Sequence, residues 1–333
     1  MRTMDALVYT ASHEVMLRSE PFPQCGPLDA LVRIDAVGIC GSDMHAYHGH
    51  DNRRVPPLIL GHEATGIVER GRFEGRRVTM NPIAFCGQCR YCLSGRQNLC
   101  SNRTMIGMSR PGAFAQYVAV PEQCLIALPD DFPAVAAALT EPAATALHAV
   151  NLGLRALFEP LTSARALVIG AGSIGMLIAL VLRHMGVREL HMCDTNPLRR
   201  QGATAIAGVN VFDPAESVPE ADSFDVVFDA VGANATRKTS IECVAPNGVI
   251  VHVGLLQAEG PMNVRKLTLA EVTFVGVYTY SQRDLQVAAD LLYEKALGDL
   301  SWVGTRPLSQ GSQAFKDLDT GCSPEAKIVL LPW

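Results

Sequence analysis

Side chains able to bind a metal ion and to move protons are concentrated in one short segment near the start of the chain. The segment opens with Cys40, continues with Ser42 and His45, and ends with His62 and Glu63. Thiolate, imidazole and carboxylate groups bind Zn²⁺ in catalytic sites, where three protein ligands leave a fourth position open. Cys40 and His62 lie 22 residues apart. They can share one ion only if the fold brings them together.

Four cysteines form a second and denser cluster. Their spacing is Cys-x2-Cys-x2-Cys-x7-Cys, and they are Cys86, Cys89, Cys92 and Cys100. Four thiolates in so short a segment can enclose one tetrahedral zinc with no open position. The alternative is a set of free or partly oxidised cysteines, but short and even spacing favours a metal. We therefore expect a structural zinc lobe over residues 86–100, which folds around its ion in place of an apolar core.

The order of these motifs resembles that of the zinc-containing medium-chain alcohol dehydrogenases. The likeness rests on Gly-x-Cys-Gly-Ser-Asp-x-His at 38–45, Gly-His-Glu-x-x-Gly at 61–66 and the cysteine lobe, and it extends over nearly the whole chain. The chain most resembles the polyol branch, with threonine dehydrogenase as a close sibling. Arg76 departs from the family, which has an acid there, so the salt bridge of that acid is not expected here.

The resemblance implies a catalytic zinc on the first domain. Its candidate ligands are Cys40, His62, Glu63 and Glu141. In the polyol and threonine branches a Glu before a Pro lies at the catalytic zinc, and Glu141 precedes Pro142 in the same way. The residues alone also allow Thr140 or Glu141 to be an ordinary helix cap, with Pro142 at the first helical position. Whether Glu63 and Glu141 bind the ion directly or through water is left open.

The same resemblance implies a proton relay beside the metal. Zinc makes a bound alcohol more acidic, and the hydride leaves for C4 of the nicotinamide. Ser42 is placed to take the proton and to pass it through the cofactor ribose to His45. A nucleophilic Ser–His pair is disfavoured, because no Gly-x-Ser-x-Gly elbow surrounds Ser42. A helix cap at Ser42, for a helix starting at Asp43, is the remaining alternative.

From residue 165 onward the pattern changes to alternating strands and helices. The apolar run Ala166–Ile169 is typical of a parallel strand buried on both faces. Gly170-x-Gly172-x-x-Gly175 follows it and opens a helix predicted over Ser173–Met185. Such glycines let backbone N–H groups approach a pyrophosphate at the helix N-terminus. The order of strand, glycines and helix predicts a dinucleotide site.

Asp194 favours NAD as the dinucleotide. It ends the predicted strand Glu189–Cys193, 19 residues after Gly175. A carboxylate there accepts from both ribose hydroxyls of NAD and repels the 2′-phosphate of NADP. Arg199 and Arg200 keep NADP open, although a base there also touches the adenosine ribose in NAD-using relatives. The predicted cofactor contacts are Gly170, Gly172, Ser173, Ile174, Gly175, Asp194, Arg199, Val231, Val253 and Leu255.

The chain of 333 residues is longer than a usual single domain, so we expect two. We expect a split, β-rich catalytic domain over residues 1–146 and 285–333. The resemblance implies that this domain is GroES-like. Residues 147–284 predict an α/β Rossmann domain with a doubly wound parallel sheet. Relatives assemble through the edge strand of that sheet, here 272–277. A homodimer or homotetramer is therefore expected.

Composition argues against several classes of protein. The net charge is −5 with no run of like charges, so no nucleic acid partner is expected. No apolar stretch is long enough to predict a membrane span. The start MRTMDALVYTA lacks a secretory pattern, and the ten cysteines are then expected to bind metal or be buried rather than form disulfides. These features predict a cytoplasmic enzyme.

The combined motifs predict an oxidoreductase with two zinc ions per subunit and NAD. It would take a hydride from a secondary alcohol, first of all a polyol or sugar alcohol, phosphorylated forms included. The alternatives are L-threonine 3-dehydrogenase and a general secondary-alcohol dehydrogenase. A non-catalytic zinc- and nucleotide-binding regulator is disfavoured because the candidate catalytic residues are intact. The substrate stays open, because side chains of both domains would form its pocket.

Overall fold

The computed structural model describes residues 2–333, so Met1 of the predicted first domain lies outside it. The described residues form eighteen strands: β1 (Thr3–Ala11), β2 (Glu14–Pro21), β3 (Asp29–Gly38), β4 (Leu58–Ile59), β5 (Glu63–Arg70), β6 (Arg77–Met80), β7 (Ile83–Ala84), β8 (Thr104–Met105), β9 (Tyr117–Pro121), β10 (Leu125–Ala127), β11 (Arg165–Ile169), β12 (Glu189–Cys193), β13 (Val209–Phe212), β14 (Phe224–Asp229), β15 (Val244–His252), β16 (Thr273–Gly276), β17 (Val303–Pro307) and β18 (Lys327–Leu331).

The same residues form ten α-helices: α1 (Gly41–Tyr47), α2 (Arg90–Leu93), α3 (Ala134–Ala138), α4 (Thr140–Ala156), α5 (Ser173–His184), α6 (Pro197–Ala203), α7 (Asn234–Cys243), α8 (Val264–Leu269), α9 (Gln282–Tyr293) and α10 (Gly311–Asp319). Short 3₁₀ turns occur at Gln97–Leu99, Glu122–Cys124 and Leu308–Gln310. Within residues 2–333 no helix combines the length and apolar character that a bilayer crossing requires.

The β-rich part of the chain is built around β3. This strand pairs antiparallel with β5, β9 and β18, within a sheet ordered β10-β6-β5-β3-β18-β17. The register places Gly38, at the end of β3, opposite both Glu63 and Val329. The start of β5 and the last strand of the chain therefore meet beside the segment that follows β3. A smaller sheet, β2-β1-β4, and the pair β7-β8 complete this part.

The second large sheet is entirely parallel. Its order is β13-β12-β11-β14-β15-β16, and apolar cores cover both of its faces. The chain order reverses between β11 and β14, which is where such sheets open a ligand crevice at their carboxyl ends. The predicted α/β architecture, a β-rich part with a doubly wound parallel sheet, is confirmed.

Several element boundaries differ from the predicted ones. Helix α4 begins at Thr140, which makes Pro142 its third residue rather than its first. Proline is tolerated there because the first-turn N–H groups have no intrahelical partner. Within residues 112–121 only Tyr117–Pro121 forms a strand. The residues before it bond to the loop before β5, through Phe114 N–H to Leu60 O at 3.0 Å.

The predicted domain division falls inside two helices that pack on each other. The boundary at 146/147 lies in α4 and the boundary at 284/285 lies in α9. His148 Nδ1 lies 2.8 Å from Asp284 Oδ2 and joins the two helices. The division of the chain stays a prediction. The edge strand expected at 272–277 is observed as β16, at one edge of the parallel sheet.

Candidate active site

The fold brings Cys40 and His62 together beside Glu63. Cys40 caps the N-terminus of α1 directly after β3, and His62 immediately precedes β5. Donor atoms of the three side chains lie within 4.8 Å of one another. Gly61 permits this approach, since its φ is +90° and an added Cβ would lie 2.7 Å from Phe114 Cδ1. His62 is buried, whereas Cys40 is partly exposed.

Asp43 holds the imidazole of His62 from behind. Its Oδ1 lies 3.4 Å from His62 Nδ1, and its Oδ2 accepts the Cys40 backbone N–H at 3.0 Å. Burial opposes ionisation of this carboxyl, but the neighbouring His62 and Arg54 keep the pKa of Asp43 below its ordinary value. A carboxylate that orients an imidazole in this way is the usual support of a metal-binding histidine. Asp43 was not among the site residues predicted from the sequence.

Glu63 is paired with a lysine from the last strand. Lys327 Nζ lies 2.5 Å from Glu63 Oε2 and donates to Ile39 O at 2.8 Å. Both side chains are about fully buried, with 1% of each exposed. Within the described residues the second oxygen, Oε1, has no hydrogen-bond partner. Lys327 thus holds one oxygen of Glu63 and leaves the other without a hydrogen bond in the described part of the chain.

Glu141 is buried close to the same group but outside its compact core. Among residues 2–333 the close donor set holds Cys40, His62 and Glu63 without it. The hydroxyl of Tyr280, also buried, donates to Glu141 Oε1 at 2.9 Å. Burial raises the pKa of Glu141 to about 7, and the charge of Glu63 adds to this effect.

These residues fit a zinc ion. The donor set combines thiolate, imidazole and carboxylate, which is the chemistry of catalytic zinc sites. Among the described residues the buried Glu63 Oε1 has no hydrogen-bond partner, so it is free to bind a cation. Cys40 and His62, with Glu63 or Glu141, are the side chains that would hold it.

Ser42 lies between His62 and a buried arginine. Its Oγ is 3.4 Å from His62 Nε2 and accepts from Arg54 Nη2 at 3.2 Å. Arg54 also donates to Asp51 Oδ2 at 2.6 Å and is only 2% exposed. Ser42 is the second residue of α1, so the alternative that it caps a helix starting at Asp43 is wrong. The cap position belongs to Cys40, whose φ and ψ are extended.

His45 lies on α1 but makes no hydrogen bond to Ser42 in the described part of the chain. Burial, helped by the positive charges of His48 and His50, lowers the pKa of His45. A lowered pKa favours the neutral imidazole, which is able to accept a proton. The ribose bridge that the resemblance implies between Ser42 and His45 stays a prediction.

The four lobe cysteines converge as their spacing predicts. The sulfur atoms of Cys86, Cys89, Cys92 and Cys100 lie within 4.8 Å of one another, and all four thiols are free. Hydrogen bonds from backbone N–H groups lower the pKa of Cys89 to about 6, and the N–H of Cys92 has the largest effect. Its thiolate is therefore present at neutral pH, as metal binding requires. The arrangement fits a structural zinc.

The glycine motif forms the expected strand–turn–helix unit. Gly175 packs against the turn so closely that a Cβ on it would lie 1.8 Å from Gly170 O. Gly172 caps α5, and a Cβ added there would meet no atom within 4 Å. Among the described residues the buried Ser173 hydroxyl has no partner. An open helix N-terminus with an unused hydroxyl fits a pyrophosphate. Ile174, predicted beside them, is half-buried.

Asp194 lies at the same turn. Its Oδ2 accepts the Ala171 backbone N–H at 2.8 Å, and Arg199 Nη1 lies 4.0 Å from that oxygen. Arg200 instead binds Asp213 Oδ2 at 2.8 Å. Arg199 is therefore the basic neighbour of the Asp194 carboxylate, whereas Arg200 binds Asp213 and donates to the Asp194 backbone carbonyl at 2.9 Å.

Three predicted cofactor contacts, Val231, Val253 and Leu255, lie just beyond the ends of β14 and β15. Val231 and Val253 both bond through their backbone N–H groups to Asp229, at 3.0 and 2.9 Å. Both valines are half-buried, whereas Leu255 is 67% exposed. Their contact with a nicotinamide stays a prediction.

Known proteins resemble this chain in both halves. Residues 26–130 match the alcohol dehydrogenase GroES-like domain, and residues 173–294 match the zinc-binding dehydrogenase family. An L-threonine 3-dehydrogenase of Sinorhizobium fredii is 33% identical over 83% of each chain.

Solved structures of the same kind cover the full length. A putative zinc-binding dehydrogenase from Sinorhizobium meliloti, bound to NADP, has a TM-score of 0.88 and 28% identity over 100% of both chains. Acetophenone reductase from Geotrichum candidum, in complex with NAD, has a TM-score of 0.87 and 26% identity over 99% of this chain and 97% of its own.

Replacement of Lys327 tests the buried pair. We expect Lys327→Met to lower the free energy of unfolding by about 3–5 kcal/mol, because the Glu63 carboxylate is left buried and unpaired. The double variant Lys327→Met with Glu63→Gln should recover most of this loss. Urea unfolding at pH 7 measures both, with the exposed Lys316→Met as the control. A single variant as stable as the wild type would contradict the pairing.

Cysteine replacement tests the two metal assignments. Cys40→Ala should remove one zinc per chain and all turnover, because the catalytic donor set is broken. Cys89→Ala should remove the other zinc and lower the thermal midpoint. Metal analysis of the purified variants measures this, with the exposed Cys322→Ala as the control that keeps both ions. Loss of zinc from Cys40→Ala without loss of activity would refute the catalytic assignment.

Proposed function

Because the chain belongs to the zinc-containing medium-chain alcohol dehydrogenase family, we propose that it oxidises a secondary alcohol with NAD as the hydride acceptor. The observation that carries the proposal is the donor set of Cys40, His62 and Glu63 next to Ser42, in a chain that also holds a dinucleotide cleft at Gly172.

Zinc, when bound, supplies the Lewis acidity that lowers the pKa of a substrate hydroxyl. Ser42 Oγ lies 3.4 Å from His62 Nε2, beside the proposed metal position, so it takes the substrate proton. Arg54 orients Ser42 by donating to its oxygen, which leaves the serine hydroxyl hydrogen pointing to the next acceptor. His45 receives the proton at the end of the relay, which its lowered pKa permits. Asp43 keeps the His62 ring in place throughout.

Buried charge around the site serves to hold its geometry. Lys327 fixes Glu63, and Tyr280 fixes Glu141, so neither carboxylate is free to turn toward solvent. Side chains held by such contacts keep the donor atoms in position before the substrate arrives, which is the basis of electrostatic preorganisation. Glu63 and Glu141 are alternative third ligands in this proposal.

NAD is the proposed cofactor rather than NADP. Asp194 is anchored to the Ala171 N–H and would face the adenosine ribose, where a 2′-phosphate would meet its charge. Arg199, 4.0 Å away, offsets part of that charge. The Sinorhizobium meliloti relative was solved with NADP. Cofactor choice therefore depends on the balance between these two side chains.

A polyol or another uncharged secondary alcohol is the proposed substrate class. The buried arginine beside Ser42 is already paired with Asp51, at 2.6 Å. A zwitterionic amino acid would need both a cation and an anion available in the pocket. L-threonine remains the second candidate, because the relative from Sinorhizobium fredii bears the name L-threonine 3-dehydrogenase.

A homodimer or homotetramer, formed through the β16 edge, is part of the proposal. The backbone of this edge strand has one side without a neighbouring strand in the described chain. Helix α8, which precedes it, exposes Val264 and Leu269 by 63% and 74%. An open strand edge with apolar neighbours favours association with a second copy.

Replacement of Asp194 tests cofactor selection. Asp194→Asn keeps an oxygen for the Ala171 N–H but removes the charge. We expect kcat/KM for NADP relative to NAD to rise about tenfold, since two unit charges about 4 Å apart near a protein surface interact by about 1–4 kcal/mol. Initial rates with both cofactors measure this, and Asp213→Asn is the control. An unchanged ratio would remove Asp194 from the selection.

A substrate panel tests the reaction itself. Zinc-loaded protein should reduce NAD with at least one polyol among sorbitol, xylitol, galactitol and 2,3-butanediol, and more slowly with L-threonine. Absorbance at the NADH band measures turnover. A higher kcat/KM for L-threonine would replace the polyol with the second candidate. A fully metallated preparation that oxidises none of these alcohols would overturn the proposed function.

A further inference from the structure

Two histidines and one aspartate converge on the surface away from the predicted ligands. They are His13, in the turn between β1 and β2, His48, directly after α1, and Asp319, the last residue of α10. Donor atoms of the three side chains lie within 4.8 Å of one another, which is the same closeness as in the two zinc clusters. Nothing in the proposed reaction uses them.

Backbone contacts fix the three elements that carry this cluster. His13 adopts a left-handed φ of +60° and donates its backbone N–H to Tyr47 O at 2.6 Å. The His13 ring also packs edge-on against the Tyr47 ring, 5.2 Å between centroids. On the other side, Ser312 of α10 donates to Val15 O at 2.6 Å. The convergence is therefore built by the fold rather than by the mobile ends of long side chains.

Within the cluster only one of the two carboxylate oxygens of Asp319 takes part in a hydrogen bond. His48 Nε2 lies 2.6 Å from Asp319 Oδ1, which is a hydrogen bond. His13 Nδ1 lies 3.7 Å from the other oxygen, Oδ2, which is too long for one. Two ligands bound about 2.1 Å from one tetrahedral zinc lie about 3.4 Å apart. The His13–Asp319 distance is thus close to that of two ligands sharing an ion.

Asp319 also lacks a permanent positive charge as its partner. A carboxylate at the last residue of a helix faces the negative end of the helix dipole and is destabilised there. In residues 2–333 no lysine or arginine lies within 4.0 Å of Asp319, and its ion-pair partners are the two histidines. Histidine is a weaker, pH-dependent counterion than lysine or arginine. A divalent ion would balance the carboxylate at neutral pH.

We propose that His13, His48 and Asp319 form a third metal site, open to solvent and separate from the two predicted zinc sites. Two imidazoles and one carboxylate suit Zn²⁺, Ni²⁺, Co²⁺ or Cu²⁺ rather than Mg²⁺ or Ca²⁺, which bind oxygen ligands. Water completes the coordination. An ion there ties α10 to the end of the helix that carries Ser42 and His45.

Nickel binding to holoprotein that carries two zinc ions per chain tests the site. Equilibrium dialysis against Ni²⁺, with zinc and nickel counted in the same sample, should show one additional Ni²⁺ per chain while the zinc content stays unchanged. Bound Ni²⁺ should also raise the thermal midpoint, because the three ligands lie close together only in the folded state. The variants are His13→Gly, which suits the left-handed φ, His48→Gln and Asp319→Asn, with the exposed His184→Ala as the matched control.

Each variant should bind Ni²⁺ at least about tenfold more weakly, since even loss of an outer partner of a metal ligand has about that effect. Unchanged zinc content shows that a variant is folded. The three substitutions lie on separate elements, so any one folded variant is enough to test the metal site. Wild-type affinity in any one of the three folded variants would overturn the proposal. So would an absence of saturable Ni²⁺ binding to the wild type.

Discussion

The pairing of β3 with β5 is the constraint on which the candidate active site depends. It sets Gly38 opposite Glu63, so that the residues just beyond one strand and just before the other face each other. This register and the Gly61 turn bring the side chains of Cys40 and His62 close together. A slip of one residue would send alternate side chains to the opposite face of the sheet and separate the two donors.

Buried charge is the second constraint, and it follows from the first. Glu63 and Glu141 are removed from water, where an isolated carboxylate is strongly disfavoured. The protein supplies Lys327 to one and the Tyr280 hydroxyl to the other, and these contacts come from the last strand and from the segment before α9. Residues distant in the chain therefore hold the two buried carboxylates of the site in place.

Local patterns in the sequence predicted what local geometry determines. The cysteine spacing predicted the lobe, and the run of strand, glycines and helix predicted the dinucleotide turn. Lys327 was not predicted, because its partner lies 264 residues away and a lysine opening an apolar strand reads as a solvated end. Arg54 was not predicted either, yet it is buried and donates to Ser42. Such pairings depend on tertiary structure, so the spacing of residues in the sequence does not predict them.

The position of zinc in a crystal of the protein tests the central claim most directly. Anomalous diffraction on both sides of the zinc absorption edge, from crystals grown without added metal, locates each ion without assumptions about ligands. The account predicts one peak between Cys40 Sγ and His62 Nε2 and a second among the four lobe cysteines. A fully zinc-loaded chain whose ions lie elsewhere, with Cys40 and His62 unliganded, would contradict it.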